Sequence, residues 1–198
     1  MHFSYLGAAP LVQSKAILSA AASIVTVESR HQTFLRLVTG AEPVPQAFDV
    51  AISARQVFTL AAQFISECPP EANLNIQPFA PLVINNAGTT KGGSILTLAD
   101  PSSVSSGTTF CAFQTGAGAA QFAEVVDGSC TVPSGLAAEV FVTLTNDRAS
   151  VADDKTLAGY VIRFLYSSLM ICTDFVIVLR LSFSHKHFRT YGDTENRM

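Results

Sequence analysis

Between Ser14 and Thr39 the chain contains neither glycine nor proline, and both ends of this stretch carry helix-boundary chemistry. Ser14 is suited to accept from the first free backbone N–H groups, and Gly40 follows as a residue able to take the left-handed conformation that closes a helix. A helix over 14–39 is therefore the strongest local constraint. The connector Ala41-Glu42-Pro43-Val44-Pro45-Gln46-Ala47-Phe48-Asp49 cannot prolong it, because proline lacks the N–H and clashes with the preceding turn. A second helix is expected from about Ala54 to Ser66. Ser53 and Gln56 have capping-box spacing, Val57, Phe58, Leu60, Ala61, Phe64 and Ile65 make a broad apolar face, and Cys68-Pro69-Pro70 ends it.

After Pro70 the signals become those of strands. Segments 74–84, 94–98, 108–113, 122–126 and 138–145 are short and rich in β-branched or aromatic residues, with Gly, Asn, Asp and Ser clusters between them. In the last, Val140, Val142 and Leu144 alternate onto one face. Helices followed by strands imply an α+β chain of segregated units, with a small antiparallel sandwich-like part, rather than a βαβ protein.

Composition narrows the function classes. With 48% hydrophobic and 14% charged residues, the chain is not disordered, nor is it the Glu- and Lys-rich sequence of a coiled-coil protein. A net charge of −3 argues against a nucleic-acid partner, which requires clustered Lys and Arg. The mean hydropathy of +0.35 calls for a membrane test. The most apolar run, 164–179, contains Asp174 and is flanked by Arg163 and Arg180. An Asp near a helix centre costs roughly 2.5–3.5 kcal/mol on insertion, so no membrane span is expected. A membrane anchor built on this run is the least favoured reading. The N-terminus lacks the basic region and sustained apolar run of a signal peptide.

Positions three and four apart from Ile17 are Ile17, Ala21, Ile24, Glu28, His31, Leu35 and Val38, of which five are apolar. Glu28 and His31 are thus expected to project from the stripe that faces the interior, where an unpaired charge is costly. Glu-x-x-His places a carboxylate and an imidazole on one helix face, the half-site of di-iron and di-manganese bundles. Such donors suit iron, manganese or zinc. The plain alternative is a buried Glu–His hydrogen bond, or a Glu28 pair with Arg30. A complete di-metal site takes about four carboxylates and two histidines from four helices. Glu42, Asp49, Glu67 and Glu71 lie in connectors or at a helix end, so an incomplete site is expected.

The segments Tyr5–Pro10, Ile17–Arg36, EPVPQAFD and FTLAAQFI–CPP resemble the fungal secreted ferritin-like stress proteins, relatives of plant desiccation-related proteins, most specifically in VESRHQTFLRLVTGAEPVPQ (Val27–Gln46). The resemblance extends from about Tyr5 to Gly159. It implies that Tyr5–Pro10 ends a third bundle helix, that 14–39 is the fourth, and that Glu28 and His31 match the last helix's Glu-x-x-His. It also implies an extracellular or cell-surface setting. The family's earlier helices have no counterpart here, so the sequence reads as an N-terminally truncated or decayed copy.

Cys111 and Cys130 bracket a Gly-rich loop between two expected strands. The extracellular setting implied by the resemblance favours a disulfide between them over four reduced cysteines buried as small hydrophobes. No Cys-x-x-Cys, phosphate loop or nucleophile elbow occurs, and His185-Lys186-His187 reads as a solvated run. From Tyr160 onward there is no proline and only Gly192. The expected organisation is thus a partial ferritin-like helical region over 1–67, a β-rich domain over 68–159, and an apolar tail over 160–198 that resembles translated intron.

These readings favour a non-catalytic, stress-associated structural or surface protein. The alternative is a di-metal redox or iron-handling protein using Glu28 and His31. With half a bundle absent, the apolar face of the 14–39 helix is expected to be exposed and to support self-association.

Overall fold

A computed structural model describes residues 2–69, 71, 75–86, 90–99, 107–116 and 118–165. Among the described residues three helices precede six strands. The helices are α1 (His2–Ala8, continued by a 3-10 turn at Ala9–Leu11), α2 (Lys15–Val38) and α3 (Ala54–Ala62). The strands are β1 (Ile95–Thr97), β2 (Phe110–Gln114), β3 (Gln121–Glu124), β4 (Ser129–Thr131), β5 (Ala138–Thr145) and β6 (Thr156–Leu165). The chain is α+β.

Local chemistry sets the helix ends. The Ile17 N–H donates to Ser14 Oγ at 3.4 Å. Gly40, at φ +75°, lets the Gly40 and Ala41 N–H groups return to the Leu37 and Arg36 carbonyls, a Schellman closure. At α3 the box is reciprocal: the Gln56 N–H donates to Ser53 Oγ and the Ser53 N–H to Gln56 Oε1. The same side chains tie the helix to the loop before β6, for Ser53 Oγ donates to Asp153 Oδ1 at 2.7 Å and Gln56 Nε2 to the Val151 carbonyl at 3.3 Å. Helix α3 stops at Ala62, four residues short of the expected end.

One sheet has the order β3-β2-β5-β6 and the other pairs β1 with β4, all antiparallel. Strand β5 is buried on both faces. Val140, Val142 and Leu144 point with Cys111 and Phe113 into a core shared with Leu82, Leu96, Leu98 and Val132, which joins the two sheets. Phe141, on the opposite face, joins Phe3, Val50, Ile52 and Phe79 in a second core beneath α1 and α3. The Phe3 and Phe141 rings meet edge to face at 4.9 Å. Helices and sheet therefore share packing rather than resting apart. Close approach depends on Gly7, where a Cβ would overlap the Ile52 carbonyl oxygen.

Three strand expectations change. In 74–84, among the described residues, only isolated bridges form, Ala80 with Ala158 and Ile84 with Leu98. Pro78 and Pro81 remove ladder donors there. The stretch is held instead by α3: the Phe79 N–H donates to Thr59 Oγ1 at 2.9 Å, and Arg55 stacks on the Phe79 ring at 3.9 Å. Strand β4 was not foreseen, although Asp127-Gly128, both at positive φ, is a hairpin signal. Strand β6 passes through Gly159, so the compositional break lies inside an element. Residues 166–198, including His185-Lys186-His187 and most of the 164–179 run, lie outside the described residues. Among the described residues no helix is long and apolar enough to cross a membrane.

Candidate functional site

Helix α2 is turned only partly as expected: of the expected stripe, Ala21 and Glu28 lean inward, while Ile17, Ile24, His31, Leu35 and Val38 are exposed. The residues that lean inward are largely small or polar, namely Ala21, Val25, Glu28, Ser29, Gln32 and Arg36, and within the helix only Arg36 is buried. The outward side is apolar: Ile17 and Phe34 are 61% and 62% exposed, and Leu35 and Val38 are similarly open. Of the two candidate ligands, Glu28 thus leans toward the interior and His31 does not. The choice turns on Arg36, whose Nη2 lies 2.7 Å from Glu139 Oε2 on β5, with both side chains less than a tenth exposed. That buried, charge-assisted pair fixes the rotation of the helix.

Glu28 and His31 are separated in environment. Three residues place them about 60° apart around the helix. Glu28 reaches α1, where the Tyr5 hydroxyl donates to Glu28 Oε1 at 3.2 Å. Partial desolvation, then the hydrogen bond to Glu28 and its charge, raise the Tyr5 phenol above its ordinary value. Glu28 Oε2 is buried and has no hydrogen-bond partner among the described residues, as is Gln32 Oε1 one turn further on. His31 is exposed. An unpartnered carboxylate oxygen is the chemistry a cation uses, but the imidazole does not share its surroundings. Among the described residues no three His, Cys, Asp or Glu side chains converge on one point.

Two further constellations were not singled out from the sequence. The first is the Arg36–Glu139 pair. Burial raises the Glu139 carboxyl above its ordinary value, the Arg36 charge opposes this, and Asp49 adds to it. Its one sequence signal is a carboxylate at the strand position that alternates with Phe141. The second is a cleft of about 320 Å³ between the 46–48 connector and the turn after β2, lined by Gln46, Phe48, Thr115, Gly116, Gln121 and Leu136. These lining residues supply no ionisable side chain. Cys111 and Cys130 form a disulfide with Cα atoms 6.4 Å apart, clamping β2 to β4 and so one sheet to the other. Cys68 is free and exposed.

With α1 packed on α2 and Glu28 at their contact, the comparison with known families becomes specific. Residues 3–41 match the ferritin-like domain. The matched span comprises α1, the 3-10 turn, α2 and its Schellman closure, and it contains both Glu28 and His31. It ends before α3 and the sheets. No curated protein matches the chain.

Proposed function

We propose that this chain is a non-catalytic protein with a ferritin-like helical region, serving a stress-associated structural role at the cell surface or outside the cell. The observation that carries this reading is the separation of Glu28 from His31. The carboxylate is engaged by Tyr5 between two helices, and the imidazole stands in solvent. The glutamate acts as a packing and hydrogen-bonding residue of the helical pair, and the metal half-site is incomplete. The Cys111–Cys130 bridge supports an oxidising setting.

The alternative, an iron or manganese protein, draws its support from one feature, the unpartnered buried Oε2 of Glu28. Elemental analysis of the purified full chain after incubation with Fe(II) or Mn(II) separates the two. The structural reading expects no stoichiometric metal and the same thermal midpoint with and without it. Metal bound in proportion to protein and lost in Glu28→Ala and in His31→Ala would replace it with the second reading.

A further inference from the structure

Seven residues on the outward side of α2 recur at alternating spacings of three and four: Ile17, Ala20, Ile24, Val27, His31, Phe34 and Val38. Every one is exposed, six are apolar, and the seventh is the lone ionisable group of the row. A strict three-four row is the seam along which one helix packs on another. From this row we infer that the outward face of α2 binds α2 of a second copy, antiparallel, about a two-fold axis at Val27.

The row is its own complement under that operation. Reversal about Val27 sets Ile17 against Val38, Ala20 against Phe34 and Ile24 against His31 of the second copy, with Val27 against itself. The smallest side chain faces the largest, as interdigitating layers require, and an isologous two-fold contact closes without leaving a free patch. A parallel pairing sets Phe34 on Phe34 and Ala20 on Ala20, which leaves a gap in one layer and a clash in another. Antiparallel helices also set opposite dipole ends side by side. The area is adequate. The exposed parts of these side chains and Leu35 amount to on the order of 600 Å², as large as the largest patch of a typical monomer. Twice that, about 1,200 Å², reaches the lower end of specific interfaces before any flanking contact is added. No like charges oppose each other along the row. This inference is independent of the metal question, since it uses His31 only as a seam residue.

The test is sedimentation equilibrium of the full chain, paired with cysteine cross-linking in a background where Cys68 and Cys172 are alanine. A dimer is expected. Val27→Cys should form an intermolecular disulfide under mild oxidation, whereas Ile17→Cys should not, because its own copy lies about 30 Å away along the pair. Ala20→Phe should weaken the dimer by roughly tenfold or more, and adding Phe34→Ala should restore it. Both positions are exposed in the single chain, and unchanged circular dichroism verifies that the variants fold. A chain that stays monomeric at all concentrations overturns the inference. So does equal cross-linking at positions 17 and 27, which marks indiscriminate association, and so does a monomer whose Val27→Cys thiol resists alkylation, which assigns the face to a segment of the same chain.

Discussion

Glu139 shows how one side chain can fix the orientation of a helix. It sits on the helix-facing side of β5 and meets Arg36 at 2.7 Å. Removing one partner of such a pair leaves a buried charge alone, so Arg36→Ala should cost about 3–5 kcal/mol of unfolding free energy in urea titrations. Arg36→Met should recover much of the packing but little of that loss. The pair also sets a pH response. Because the folded-state pKa of Glu139 is raised, the folded chain holds this proton more tightly than the unfolded chain. Its contribution is therefore greatest below the ordinary value of 4.5 and declines as pH rises through the folded-state pKa. The urea midpoint of the native chain should fall over that window relative to Glu139→Gln, and parallel profiles would refute it. Tyr5 offers a second residue-level test. Glu28→Gln removes both the charge and the acceptor strength that raise the phenol, so its absorbance titration should move to lower pH.

At the scale of elements, much of the helix reading was available in the chain. Ser14, Gly40 and the Ser53–Gln56 box act locally, and local chemistry is what a sequence displays most directly. The rotation of α2 was not legible, since it depends on partners far along the chain. The period-3.6 pattern marks two adjacent apolar rows and cannot tell which is covered, whereas Arg36 finds its partner 103 positions away. For the same reason Glu28 and His31 were recognisable as a motif, while their different surroundings were not. The prolines at 78 and 81 were visible and outweigh the β-branched character of that stretch. Packing inverts one common rule. Gly→Ala inside a helix ordinarily gains roughly 0.5–1 kcal/mol. At Gly7 the added methyl would overlap the Ile52 carbonyl, so Gly7→Ala should lower the thermal midpoint and loosen α1. A higher midpoint would show that α1 can slide without cost.

Across the whole molecule the decisive feature is that strand β5 serves two cores at once. Val140, Val142 and Leu144 bind it to the smaller sheet, and Phe141 binds it to Phe3, Val50, Ile52 and Phe79 of the helical layer. A division of the chain into a helical region and a β-rich domain describes composition well, but the packing runs through both. This makes Phe141 more consequential than its place in a sheet suggests. Phe141→Ala should cost about 3–5 kcal/mol, and the helical signal at 222 nm should still fall in the same transition as the sheet signal. Val142→Ala removes less volume on the opposite face and should lower stability less, again in one transition. If the helices and sheets were independent units, Phe141→Ala would split the melt, with the helical signal lost first and the disulfide-clamped sheets retained. A single transition is the expected result, because the edge-to-face contact of Phe3 with Phe141 and the Arg36–Glu139 pair both join the matched ferritin-like span to β5, and neither can open without exposing that strand.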